Sequence, residues 1–127
     1  MIGYVMLGTN DVEASSKFYD ELLALLGAKR FMETDRGYAW MTTWEQCGLG
    51  VMKPFDGKPA TVGNGVMVAL ACDSPAKVDE VYAKALSLGG TDEGPPGPRG
   101  EGFYAAYFRD LDGNKLDAFC MTAPAGG

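Results

Sequence analysis

The stretch YVMLGTNDVEASSKFYDELLALLG, residues 4–27, decides the fold, because the chain writes it a second time as MVALACDSPAKVDEVYAKALSLGG, residues 67–90. Shifted by 63 positions and without a gap, Tyr4-Val5-Met6-Leu7 falls on Met67-Val68-Ala69-Leu70. Phe18-Tyr19 likewise falls on Val81-Tyr82, and Leu23, Leu25 and Gly27 on Leu86, Leu88 and Gly90. Such self-similarity marks one supersecondary unit used twice. Each copy opens with an apolar run of period two, a strand, and continues with apolar residues of period 3.6, a helix.

In the first helix Val12, Ser15, Phe18, Tyr19, Leu22, Leu25 and Leu26 form the expected inner stripe. Asn10 and Glu13 have capping-box spacing, and Gly27 stands where a left-handed residue ends a helix. In the second helix Ser74 is the expected cap, Pro75 the first helical residue, and Val78, Val81, Tyr82, Ala85 and Leu88 the stripe. Strands are expected at Lys29 to Glu33, Gly37 to Thr43 and Gly48 to Lys53 after helix one, and at Phe103 to Arg109 and Lys115 to Met121 after helix two. The glycine- and proline-rich run Thr91 to Gly102 reads as at most a short strand followed by a loop. Each module is thus βαβββ. Module one covers about residues 1–53, a turn-rich joint 54–65, module two about 66–121 and a tail 122–127.

Composition bounds the rest. A chain of 127 residues is one domain, able to bury roughly two-thirds of the surface its unfolded form exposes. Cys47, Cys72 and Cys120 are an odd set without CxxC spacing, which points to reduced, packed thiols and a cytoplasmic protein. The start MIGYVML has no basic leader, and the longest apolar stretch, Leu22 to Leu26, is too short to span a membrane. A net charge of −6 argues against nucleic acid or an anionic membrane as partner and more easily accommodates a neutral or cationic ligand, the alternative being that the charge only keeps the domain in solution. There is no histidine, so no serine or cysteine nucleophile has an imidazole base.

The βαβββ duplication, the Asn10-Asp11…Phe18-Tyr19 entry to helix one, Gly63-Asn64-Gly65 in the joint, and Arg109-Asp110-x-Asp112-Gly113-Asn114-x-x-Asp117 at the last strand resemble the vicinal oxygen chelate superfamily. That superfamily holds glyoxalases, bleomycin resistance proteins, extradiol dioxygenases and fosfomycin-modifying enzymes. The resemblance implies an α+β fold in which two tandem βαβββ modules enclose a cavity with curled mixed sheets, one helix packed outside each, and it implies a homodimer. It also implies metal ligands on the first and last strands of the modules. Carried over, these positions are Tyr4, Gly50, Met67 and Asp117.

A borderline metal wants imidazole, thiolate or several carboxylates, and of these four residues only Asp117 qualifies. Cys72 and Cys120 point the other way, since side chains alternate along a strand. No metal and no other cofactor is therefore expected. A hard divalent ion completed by water, substrate oxygens or Glu101 stays open as the alternative.

The expected lining is apolar and aromatic: Tyr4, Met6 and Met67 from the first strands, Asp117 from the last, and Trp40 with Tyr38 at the other end, to which the superfamily resemblance adds Tyr107, ten residues before the final carboxylate. Ordinary core packing is the alternative for Met6, Met41, Met52 and Phe119. Asp117, isolated among apolar residues, needs a partner such as Tyr4 or Tyr107, and burial would raise its pKa toward acid–base use. Arg99 is expected either to reach a ligand carboxylate from the pocket rim or, as an arginine in a glycine- and proline-rich loop, to be solvated, and Asp110, Asp112 and Asn114 are expected in a turn, not a calcium loop.

The reading is a protein that holds a small organic molecule, cationic or aromatic, without a metal. A superfamily lyase, isomerase or dioxygenase with an atypical metal site or with Asp117 moving a proton is one rival. An inactive interaction module is another.

Overall fold

The computed structural model describes residues 1–122, so most of the tail expected at 122–127 lies outside the described residues. Cα packing divides the chain into two compact units at Asn64/Gly65, at the end of the expected joint.

The first unit runs β1 (Tyr4–Gly8), α1 (Val12–Ala24), β2 (Lys29–Thr34), β3 (Gly37–Met41) and β4 (Gly48–Met52). The second runs β5 (Val68–Ala71), α2 (Pro75–Ser87), β6 (Thr91–Pro98), β7 (Phe103–Arg109) and β8 (Lys115–Met121). Each makes one four-stranded sheet, in the orders β1-β4-β3-β2 and β5-β8-β7-β6. The first strand pairs parallel with the last and the other pairs are antiparallel. A helix must link the first strand to the rest because a parallel partner cannot be reached through a tight turn.

The α1 cap differs from expectation by one residue. Asp11, in extended conformation, accepts the Ala14 N–H on Oδ1 at 3.0 Å. Asn10 instead pairs with the backbone of Ala60: its Oδ1 accepts the Ala60 N–H at 2.6 Å and its Nδ2 donates to the Ala60 carbonyl at 3.2 Å. An amide side chain imitates a peptide group, so Asn10 pins the joint to the helix entry while its neighbour caps. The buried stripe is Ser15, Ser16, Phe18, Tyr19, Leu22 and Leu23. Leu25 and Leu26 are only half-buried, because the helix ends at Ala24, with Leu25 as C-cap and Gly27 turning the chain at φ +80°.

In α2 the expected Ser74 cap and Pro75 are present, with Ser74 Oγ accepting the Lys77 N–H at 3.1 Å. Val78, Val81 and Ala85 are buried, and the helix packs on β6, β7 and β8. Burial of such side chains is what holds a 13-residue helix in place.

The run expected to become a loop is strand β6, eight residues paired antiparallel with β7. The register slips between Asp92 and Gly94 and again between Gly94 and Gly97. Those slips and its place at the sheet edge explain how Pro95, Pro96 and Pro98 are accommodated: a residue without an N–H is tolerated on an edge or at a bulge. Asp110 and Asn114 close the β7–β8 turn, with Asp110 Oδ1 accepting the Asp112 and Asn114 N–H groups at 2.9 Å. Cys120 is buried as expected and Cys72 half-buried, its thiol pushed up to about 11 mainly by burial. Cys47 is exposed, contrary to expectation.

Candidate functional site

Strand register places four residues in a row across each sheet, where the first strand meets the last. In the second module the row is Ala69 on β5, Asp117 on β8, Tyr107 on β7 and Gly94 on β6. Alternation puts Lys115, Phe119 and Met121 on the same sheet face as Asp117, and Leu116, Ala118 and Cys120 on the other, which α2 covers.

Asp117 is the least comfortable group on that face. It is 2 % exposed, and its Oδ1 has no hydrogen-bond partner. Tyr107, directly across the ladder, does not donate to that oxygen, so the expected partner is absent. A buried carboxylate atom without a donor is costly. Burial pushes the Asp117 carboxyl up to about 6, against the opposing pull of the Lys115 ammonium.

Two cations attend the neighbouring tyrosine. Lys115 Nζ is 5.6 Å and Arg99 Cζ 5.5 Å from the centre of the Tyr107 ring, within cation–π range. Arg99 is held against the backbone of the edge strand β6 instead of standing free in solvent. Its Nη2 donates to the Pro95 carbonyl at 2.6 Å and its Nη1 to that of Pro98 at 3.2 Å. A Cβ at Gly97 would lie 3.1 Å from Nη1, and one at Gly94 3.4 Å from Nη2. The glycines of β6 therefore leave the space the guanidinium occupies. Beside this group Phe103 and Phe119 stack at 5.5 Å.

The corresponding row of the first module is Met6, Gly50, Ala39 and Met32. A Cβ at Gly50 would lie 2.8 Å from Met6 Sδ and 2.9 Å from Ala39 Cβ, so the thioether already fills that place. Tyr4, 54 % exposed, opens β1, and Met67, 42 % exposed, just precedes β5.

Trp40 does not join the lining. It is 2 % exposed, 5.7 Å from the Tyr19 ring, and donates its indole N–H to Asp20 Oδ1 at 2.8 Å, all on the α1 side of its sheet. Tyr38, two residues away, lies on that same side, with Arg30 4.1 Å above its ring. The expectation had the wrong alternation phase for β3: Ala39 is the residue opposite Gly50. Sequence reasoning also passed over Lys115. Its place two residues before Asp117 on a strand was the available signal.

The metal implied by the superfamily resemblance does not fit these donors. The four ligand positions hold a phenol, a glycine, a thioether and one carboxylate, and nothing adjoining Asp117 on its sheet face supplies imidazole, thiolate or a second carboxylate. Among the described residues no group of three or more His, Cys, Asp or Glu is placed to hold a metal ion.

Comparison with known proteins fits this architecture. The family model for the glyoxalase/bleomycin resistance protein/dioxygenase superfamily matches residues 1–118. Among solved structures, a glyoxalase/bleomycin resistance protein from Albidiferax ferrireducens T118 is 40 % identical with TM-score 0.88, over 98 % of this chain and 99 % of that one. A lactoylglutathione lyase from Agrobacterium tumefaciens is 20 % identical with TM-score 0.70, over 94 % and 92 % of the two chains. A genomically encoded fosfomycin resistance protein from Listeria monocytogenes is 17 % identical with TM-score 0.71, over 96 % and 93 %; the last two likenesses show the fold alone. A search of curated proteins finds no match. With a paired βαβββ architecture, a family match over nearly its whole length and a close structural relative, the chain belongs to the glyoxalase/bleomycin resistance protein/dioxygenase superfamily.

Proposed function

We propose that this chain binds a small organic molecule on the face of the second module's sheet turned away from α2, and does so without the metal of its superfamily. One observation carries the reading: Asp117 is buried with Oδ1 unpartnered, on the sheet face that also holds Phe119 and Tyr107, the ring at which two cationic side chains meet. A ligand hydroxyl or N–H donating to that oxygen would relieve the cost of burying it, and the aromatic surroundings supply contact area. The donor set argues against a metal as that partner, since one carboxylate beside a thioether and a phenol holds a divalent ion poorly. The exposed Ile2, Tyr4, Val66 and Met67, near the starts of the two modules' first strands, support the homodimer that the family resemblance implies.

Metal-free acid–base catalysis at Asp117 is the second reading. It is favoured by the pKa of about 6, which leaves both protonation states populated near neutral pH. The test combines metal analysis with ligand binding. Purified protein and Asp117→Ala are incubated with iron, manganese, nickel or zinc, desalted and assayed for metal, then screened for small molecules that raise the melting temperature. The reading expects no stoichiometric metal in either protein and ligand-dependent shifts that weaken in the variant. Stoichiometric metal that disappears in Asp117→Ala would overturn it. Turnover of a bound molecule that Asp117→Asn abolishes would establish the second reading.

A further inference from the structure

The charge of the ligand can be read from the cations at Tyr107, given the reading above that this face binds a small molecule. The chain carries six more negative than positive groups, and several of its cations are held by acids. Arg30 is held by Asp20 and Glu33, Lys77 by Glu80, Lys17 by Glu13, and Arg109 by Glu93. Arg99 and Lys115 make no such ion pair among the described residues, yet both converge on one aromatic ring. In a chain so rich in acid, two cations meeting at one ring are a local concentration of positive charge, with Lys115 also within electrostatic reach of Glu93 and Asp117.

Arg99 is also prepared for recognition. Two main-chain carbonyls and the Tyr107 face fix its guanidinium over Gly94 and Gly97, so little side-chain freedom remains to be lost on binding. Of its five N–H donors the two carbonyls take two, and among the described residues no acceptor is shown for the other three, which suit a planar two-oxygen acceptor. Gly94 lies two strands from Asp117, about 10 Å at the usual strand spacing, which keeps an anion at Arg99 apart from the buried carboxylate.

We propose that the ligand is an organic carboxylate: its carboxylate is bound by Arg99 and Lys115 at Tyr107, its apolar part lies toward Phe119, and its hydrogen-bond donor reaches Asp117 Oδ1. The whole-chain charge, which favours a cationic partner, is overridden here by the charges that line the face.

Three probes of similar size and opposite charge test this by titration calorimetry on the full chain: phenylacetate, phenylacetamide and 2-phenylethylamine. Phenylacetate should bind most tightly and weaken as salt rises. Arg99→Gln should cost it about tenfold in affinity, with Arg99→Lys retaining part of the loss, while phenylacetamide changes by less than about twofold. Tightest binding by 2-phenylethylamine, or phenylacetate affinity unchanged in Arg99→Gln, would overturn the carboxylate inference and leave small-molecule binding standing. Saturable binding by none of the three would overturn both.

Discussion

The two modules share a strand order and a register, yet their equivalent rows are mirror images in size. Across β1, β4, β3 and β2 the first module places Met6, Gly50, Ala39 and Met32; across β5, β8, β7 and β6 the second places Ala69, Asp117, Tyr107 and Gly94. Large residues at the outer positions close the first row with a thioether over Gly50. Small residues at the outer positions of the second make room for polar groups at its centre, and for Arg99 above its edge. A duplicated fold thus supplies two platforms, and side-chain volume decides which carries chemistry.

The largest expected effect comes from neutralising the second row. The Asp117 pKa lies above the ordinary 3.8, at about 6, so its contribution to stability is fully present below pH 3.8 and is lost as pH rises through 6. Above that the folded state carries a penalty on the order of 3 kcal/mol. Asp117→Asn should therefore raise stability at pH 7.5 while changing it little at pH 4, as read by urea unfolding. An unchanged or lowered stability at pH 7.5 would mean that Asp117 is satisfied as an anion, and the contrast between the rows would fail.

Next comes a change in the first row. Gly50→Ala pushes a methyl against Met6 Sδ, Ala39 Cβ and the Tyr38 carbonyl, and should destabilise by about 2 kcal/mol. Adding Met6→Ala, which imitates Ala69, should recover part of that loss, because one of the three obstacles is removed. Equal stability of the single and double variants would show that the thioether does not close the row.

The helix caps should behave alike in both modules. Asp11→Ala and Ser74→Ala each remove one donor's partner at an α-helix start and should cost about 1 kcal/mol by thermal or urea unfolding. A larger loss for Asn10→Ala than for Asp11→Ala would show that the link to Ala60 matters more than the cap itself. The smallest stability effect belongs to Gly97→Ala, whose added methyl displaces the Arg99 guanidinium. It should leave unfolding within about 0.5 kcal/mol of wild type and weaken phenylacetate binding several-fold.

Periodicity in residues 4–27 and 67–90 already contained the duplicated βαβββ plan, and strands β7 and β8 fall where alternation of apolar residues puts them. That plan was legible because amphipathic period and capping chemistry are local properties of the chain. Asp117 was legible as well, as the one carboxylate in an apolar strand.

What local pattern leaves undetermined is which partner meets which. Trp40 looked like lining until its indole bonded Asp20 of α1, because the phase of β3 is set by pairing with β4. The glycines and prolines of β6 read as a loop, since their strand character arises from the β7 edge alone. Arg99 gained its position only from the carbonyls of that edge strand and from the Tyr107 ring. Residue sequence alone determined the modules, their helices and the missing imidazole ligands. Tertiary structure decided that Asp117 Oδ1 stays without a donor and that two cations gather at Tyr107, its neighbour across the ladder, because strand register and side-chain volume are settled between distant segments.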